Sequence, residues 1–385
     1  MKGLVILGST GSIGRQTLDI VRAFPNEFNV VGLAAGLNVE LLKEQIEEFR
    51  PRLVWCTSEQ HRGLLPDGVT LTPMEEMVCQ PDADLIMAAT IGSAGLVPTV
   101  RALENKKPVA LANKEVIIMA GGLVKSLAGP DGGTLLPVDS EPSAIWQCLR
   151  GEKEDVRRII ITASGGPFRT SPMEDMEKVT PEEALNHPTW KMGRKITVDS
   201  ATLMNKAFEV IEARWLFDVP WDKIEVVVHP QSIVHSMVEF ADGSVKAQLG
   251  PPDMRLPIQY SLFYPTRLPN QQIPRLDTGL SHSLTFQPLE RERYPCFGMA
   301  VEAGKKGGTY PAVLSAADEV AVELFLQGRI GFMDIYRTID RVLGDHTSSL
   351  GSSLDEILAA DHWARVRAHE VAESLPAPTP VSRST

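Results

Sequence analysis

Residues 2–24 read KGLVILGSTGSIGRQTLDIVRAF, and the order of apolar residues and glycines in them decides the fold. Leu4 to Leu7 form an unbroken apolar run that stops at Gly8. Gly8, Gly11 and Gly14 then follow three apart, with Ser9, Thr10 and Ser12 among them. Ile13, Leu18 and Val21 recur at helical spacing, so a strand feeds a tight glycine turn that opens a helix. Such a turn lets the backbone approach a pyrophosphate, whose charge rests on the amino end of the helix. Glycines at this spacing are weak evidence alone and also suit a structural turn. Here the strand before and the helix after supply the context that a dinucleotide site requires.

Working outward, apolar runs alternate with helical patterns. FNVVGLAA, RLVWC, DLIMAA, PVALA and TLLPV read as strands, and VELLKEQIEEF and GLVPTVRALEN as helices. This alternation predicts an α/β fold with a doubly wound, mostly parallel sheet of Rossmann type over residues 1–138. The second strand ends in Gly36-Leu37-Asn38, with no acid to meet a ribose 2′-hydroxyl, which favours NADP over NAD. After the fifth strand comes LANKE. Asn113, Lys114 and Glu115 fall at the carboxyl edge of the sheet, where Lys114 is either a solvated charge or a cation aimed at a substrate.

A chain of 385 residues exceeds one typical core and predicts two or three domains. With 43% hydrophobic and 23% charged residues it has the composition of an ordinary globular protein. A net charge of −11 argues against nucleic acid as a partner, though a few local cations still suffice for a small anion. Four cysteines, scattered and without a CxxC, fit reduced thiols in the cytoplasm and no zinc site. No stretch reads as a membrane span, and a strand from the second residue leaves no room for a leader peptide. Residues 371–385 end in SLPAPTPVSRST and are expected to be disordered.

The central stretch, 139–263, is expected to be an α/β catalytic domain. LLPVDSEPSAIWQ (135–147) runs an apolar strand into Asp139 and Glu141, either a polar turn or a cation site. RRIIITASGGPFRT ends in Ser164-Gly165-Gly166, a small anion nest or a plain tight turn. SPMEDMEKVTPEEALNHPTWKMGRK has no clean amphipathic period. With His187, Trp190, Met192 and Arg194 it reads as a lid over about 164–194, or as a mobile surface loop.

TVDSATLMNKAFEVIEARWLF reads as one helix starting near Asp199 and Ser200, with Leu203, Ala207, Val210 and Ile211 as its buried stripe. Ser200 would then stand at its positive end, with Asn205, Lys206 and Glu209 on the other side. These residues suit a phosphate clamp. Alone, Lys206 and Glu209 would equally pass for a surface ion pair. Asp139, Glu141 and Glu209 together offer oxygen ligands without sulfur or imidazole, which suits Mg²⁺ or Mn²⁺. IEVVVHPQSIVHSMVEFADGSVKAQLG adds a strand and a hairpin turning at Asp242-Gly243, with His229 and His235 in structural or supporting places. Met254 falls beside a kinked turn. A proline-rich linker (264–290) and a small helical domain (291–370) follow.

GSTGSIG, LANKE, VDSEPSAIWQ, TASGGPF, HPTWKMGRKITVDSATLMNK, HPQSIVHSMVEF and AQLGPPDMRLPIQY together closely resemble the 1-deoxy-D-xylulose 5-phosphate reductoisomerase family, in its order and spacing and almost end to end. The resemblance implies an NADPH-dependent homodimer, joined through the central domain, that makes 2-C-methyl-D-erythritol 4-phosphate in the non-mevalonate isoprenoid pathway. It implies that Asp139, Glu141 and Glu209 hold Mg²⁺, Mn²⁺ or Co²⁺. Ser164, Ser200, Asn205 and Lys206 would hold the substrate phosphate, and Lys114, Ser140 and His187 would contact the carbon chain. Trp190 and Met192 would sit on the closing lid. Thr10, Gly11, Ser12, Ile13, Gly36, Asn38, Asn113, Glu115 and Gly193 would contact NADPH. Fosmidomycin-type hydroxamate phosphonates should inhibit.

The chain departs from the family at Leu37, where some members have lysine, and at Asp318, often asparagine and expected to matter little to the chemistry. Another two-domain NADP dehydrogenase would need a catalytic cysteine or a lysine–aspartate pair. A non-catalytic NADPH sensor would need no metal.

Overall fold

The structure is a computed structural model and describes residues 1–376 apart from 59–62, 64, 67, 153–154 and 280–282. It divides into two compact units. The first comprises Met1–Val116, Gly122–Trp146 and Asp253–Arg275, and the second comprises Ile117–Gly121, Gln147–Pro252 and the chain from Leu276 onward.

In the first unit, strands β1 (Lys2–Leu7), β2 (Phe28–Ala35), β3 (Leu53–Cys56), β4 (Thr70–Leu71), β5 (Leu85–Ala88), β6 (Pro108–Leu111) and β7 (Thr134–Pro137) form one parallel sheet. Their continuous apolar runs suit strands covered on both faces, and Leu4, Val5, Ile6 and Leu7 have no exposed surface. The order is β4-β3-β2-β1-β5-β6-β7, so the winding reverses between β1 and β5. Ligands bind doubly wound sheets at that reversal, outside the carboxyl ends of the strands. The glycine turn follows β1 directly.

The five strands expected after β1 are all present. The exposed β4 was not anticipated, because two residues are too few to show a period. The helices Lys114–Leu127 and Ser140–Leu149 were also unforeseen. Residues 255–263, expected to belong to the central domain, form the helix Arg255–Phe263, which groups with the first unit. Phe263 meets Phe24 and Phe28 edge-on at 4.8 and 5.1 Å, and Ile258 and Leu262 join the core.

In the second unit, β8 (Val156–Ala163), β9 (Ile224–Val228), β10 (Val234–Phe240), β11 (Val245–Leu249) and β12 (Gln287–Pro288) lie in the order β11-β10-β8-β9-β12. Among the described residues only the β8–β9 pair of this sheet is parallel. The β10–β11 hairpin turns at Asp242-Gly243 as expected, with Asp242 Oδ1 accepting from the Ser244 amide at 2.8 Å. The edge strand β12 lies in the stretch read as linker.

The helices Pro295–Lys306, Tyr310–Leu326, Phe332–Asp345 and Leu354–Ser374 confirm a helical C-terminal part. They group with the central sheet rather than apart from it, because apolar contacts such as Phe168 against Phe332, 5.4 Å apart, tie them to it. The last helix reaches Ser374, so residues 371–374 are helical where disorder was expected, and residues 377–385 lie outside the described residues. Among the described residues no helix is long and apolar enough to cross a membrane.

Candidate active site

The glycine turn is built by close backbone approach. A Cβ on Gly8 (φ +89°) would lie 2.3 Å from the Ala89 carbonyl oxygen, and one on Gly14 would lie 2.2 Å from that of Gly8. Gly11, by contrast, has its nearest neighbour at 3.3 Å. It caps the helix Ser12–Ala23 without any side-chain hydrogen bond, which leaves first-turn amides for an anion. Thr10 and Ile13 are half-buried there and Ser12 is exposed. Gln45, which no sequence motif singles out, donates to the Ser9 carbonyl at 3.0 Å and steadies the turn. Gly14→Ala should therefore destabilise the protein by roughly 2–3 kcal/mol and weaken NADPH binding, whereas Gly11→Ala, which needs only a small shift of the Gly8 carbonyl, should lower the melting temperature much less. Thermal melts and cofactor titration of both variants check this.

Gly36, Leu37 and Asn38 are exposed at the carboxyl end of β2, and Asn38 Oδ1 caps the helix Val39–Phe49 by accepting from the Leu41 amide at 3.2 Å. Asn113 is buried and bound within the chain. Its Oδ1 accepts from the Val116 amide, and its Nδ2 donates to Thr90 Oγ1 at 2.9 Å and the Gly92 carbonyl at 3.0 Å. Lys114 and Glu115 are also buried. Lys114 Nζ lies 2.5 Å from Asp139 Oδ2, which removes the solvated-charge alternative.

The polar-turn alternative for Asp139 and Glu141 fails too. They flank the start of the helix Ser140–Leu149, with the Ser140 amide donating to Asp139 Oδ1 at 3.0 Å and the Ser143 amide to the Asp139 carbonyl at 2.9 Å. An acid before a helix with proline in its first turn is a start signal that reading the stretch as a turn overlooked. Ser140 Oγ donates to Glu141 Oε2 at 2.5 Å. Ligand oxygens of Asp139, Glu141 and Glu209 all lie within 4.8 Å of one another. Such crowded carboxylates repel unless cations offset them, and ammonium groups stand 2.5 Å from two of the three, Lys114 at Asp139 and Lys206 at Glu209.

The single helix expected from Asp199 onward is two. Arg194–Thr202 and Met204–Phe217 meet at Leu203, which is left-handed (φ +55°), and Thr202 Oγ1 accepts from the Met204 amide at 3.3 Å. Ser200 therefore lies in the last turn of the first helix, not at a positive end. Asn205 and Lys206 occupy that end of the second. The apolar period runs on across the break, so spacing alone could not reveal it. Glu209 is 1% exposed and Lys206 5%, which excludes a surface ion pair. Glu209 accepts from Asn205 Nδ2 and from Lys206 Nζ, each at 2.5 Å.

Ser164 Oγ accepts from the Gly166 amide at 3.2 Å and lies 3.0 Å from His187 Nε2. His187 Nδ1 accepts from the amides of Thr189 and Trp190 at 3.1 and 2.9 Å, so the proton sits on Nε2, which donates to Ser164. Burial lowers the His187 pKa below its ordinary 6.5. The stability gained from the neutral ring is complete above about 6.5 and is lost as pH falls through the lowered folded value. Hydrogen exchange at the Trp190 amide, corrected for intrinsic rate, should speed up over that fall and stay flat above pH 7.

Trp190 and Met192 are half-buried, and Gly193 is the exposed cap of the helix Arg194–Thr202. The stretch before them is less irregular than expected, with a 3₁₀ turn at Met173–Lys178 and a short helix, Pro181–Ala184, capped by Thr180. His229 is buried and structural, its Nε2 accepting from the amides of Ile233 and Val234. Burial pushes the Cys148 thiol up to about 11 and raises that of Cys296 as well, so neither supplies the thiolate that a cysteine-dependent dehydrogenase needs.

Family models match most of the chain. Residues 4–121 match 1-deoxy-D-xylulose 5-phosphate reductoisomerase, residues 135–217 its C-terminal domain, and residues 249–367 a DXP reductoisomerase C-terminal domain. The reductoisomerase of Pelotomaculum thermopropionicum is 51% identical over 95% of this chain and 97% of its own length. That of Chlorobaculum tepidum is 52% identical over 96% and 100%. Among solved structures, the Zymomonas mobilis reductoisomerase in complex with NADPH is 42% identical, with a TM-score of 0.89, covering 97% of this chain and 100% of its own. A DOX-P reductoisomerase in complex with NADPH, fosmidomycin and magnesium is 36% identical, with a TM-score of 0.92, covering 97% and 98%. The chain belongs to the 1-deoxy-D-xylulose 5-phosphate reductoisomerase family.

Proposed function

We propose that this protein converts 1-deoxy-D-xylulose 5-phosphate to 2-C-methyl-D-erythritol 4-phosphate, using NADPH and a divalent metal. The observation that carries this reading is the carboxylate trio of Asp139, Glu141 and Glu209, with oxygens within 4.8 Å of one another. A donor set of oxygens alone fits a hard dication, Mg²⁺ first and Mn²⁺ or Co²⁺ in its place. The close-built turn at Gly8, Gly11 and Gly14 fits a pyrophosphate.

When bound, the metal supplies Lewis acidity at the substrate ketone and NADPH supplies hydride for the aldehyde formed by rearrangement. The chain's own residues bind and orient. Ser164, Ser200, Asn205 and Lys206 hold the phosphate, with Lys206 as its cation. Lys114 and Ser140 contact the carbon chain, and His187 donates from Nε2. Trp190 and Met192 close over the ligand and exclude water, so that phosphate binding energy goes into positioning. Thr10, Gly11, Ser12, Ile13, Gly36, Asn38, Asn113, Glu115 and Gly193 line the cofactor path. The enzyme acts as a homodimer in the cytoplasm, on the strength of the family resemblance.

The test is NADPH oxidation with 1-deoxy-D-xylulose 5-phosphate. Turnover should vanish with EDTA and return with Mg²⁺, while NADPH binding persists without metal. Turnover that EDTA leaves intact would remove the metal from the reaction.

A further inference from the structure

We propose that Tyr294 and Asp318, from the C-terminal helical stretch, are positioning residues for the substrate's phosphate end. This rests on reading Ser164, Ser200, Asn205 and Lys206 as the clamp. The Tyr294 side chain is buried, and its hydroxyl donates to the Gly165 carbonyl at 2.8 Å. Gly165 and Gly166 both have positive φ, +85° and +67°, so the Ser-Gly-Gly turn owes its shape to what holds it. Arg293 adds donors to the carbonyls of Phe168 and Ser171, at 3.4 and 2.6 Å. Burial raises the Tyr294 phenol to about 12, so it remains a donor at any working pH.

The second brace lies behind Ser200. Asp318, with no exposed surface, and Asp199 both pair with the Lys195 ammonium, each at 2.6 Å. Asp199 precedes Ser200 in the chain. The same ammonium lies 5.1 Å from the ring centre of Phe208, on the helix that bears Asn205 and Lys206. Lys195 thus spans the break at Leu203 and pins both helices to Tyr310–Leu326, which carries Asp318. Apolar contacts would join these helices at a lower desolvation cost, whereas an ammonium held between two carboxylates fixes their rotation. The two braced segments abut, since a Cβ on Gly166 would lie 2.6 Å from the Ser200 carbonyl oxygen. Asp318 therefore bears on the substrate through Ser200, contrary to the small weight its sequence context gave it.

Tyr294→Phe, Asp318→Leu and Asp318→Asn test the proposal, with Lys206→Ala alongside. Tyr294→Phe and Asp318→Leu should each raise KM for the phosphorylated ketose on the order of 10-fold, with kcat and the NADPH KM within about twofold of wild type. Both should shrink the rise in melting temperature that inorganic phosphate produces. Asp318→Asn should recover most of the loss, because its amide oxygen keeps a partial negative charge facing the Lys195 ammonium. If Asp318→Leu does not fold, Tyr294→Phe decides. An unchanged ketose KM in Tyr294→Phe, with Lys206→Ala impaired, overturns this inference alone, as does an equal fall in every kinetic constant. A wild-type protein without turnover, or an unimpaired Lys206→Ala, overturns the underlying reading and the inference with it.

Discussion

Glu209→Gln is expected to cut turnover by at least about 10³-fold, or some 4 kcal/mol of transition-state stabilisation, with NADPH affinity nearly unchanged. Glutamine keeps the shape and one accepting oxygen, so the hydrogen bond from Asn205 survives. What goes is the charge. Glu209 is 1% exposed, and its carboxylate meets Lys206 at 2.5 Å and stands within 4.8 Å of the oxygens of Asp139 and Glu141. Breaking a buried pair from one side costs roughly 3–5 kcal/mol, so thermal melting must accompany the kinetics. Cofactor binding serves as the internal control, because the glycine turn contains none of these residues. A folded variant with wild-type activity at matched Mg²⁺ would rule out a ligand role for Glu209.

Lys206→Ala should raise KM for the phosphorylated ketose about 100-fold, roughly 2.7 kcal/mol, with a much smaller fall in kcat. A charge-assisted hydrogen bond to phosphate contributes about 1.5–3 kcal/mol, more where water is excluded. Lys206 is 5% exposed and sits in the first turn of its helix, where the backbone also favours an anion. The variant also leaves Glu209 without the ammonium opposite it, so metal affinity should be measured separately and the assay run at saturating Mg²⁺. A ketose KM within twofold of wild type would place the phosphate elsewhere.

Residue spacing alone announced the glycine turn and most strands of the first unit's sheet. Leu4 to Leu7, the three glycines and the period of Ile13, Leu18 and Val21 are short-range facts, because the strand, turn and helix each form within a few residues. The Asp242-Gly243 hairpin was legible for the same reason. Asp139, Glu141 and Glu209 could be named as oxygen ligands from residue type and family likeness, but their proximity could not be read, since 68 positions separate the last two along the chain.

Only the tertiary structure decided the rest. Leu203 breaks a helix whose apolar period runs on unbroken, because the packed helices on either side outweigh local propensity. The same packing buries Lys206 and Glu209, which spacing alone would leave on the surface. It also brings Asp318 to Lys195 across 123 residues of chain. Local pattern sets which elements form. Which charged groups meet depends on how those elements cross and on what water they lose, and no window of sequence contains that information.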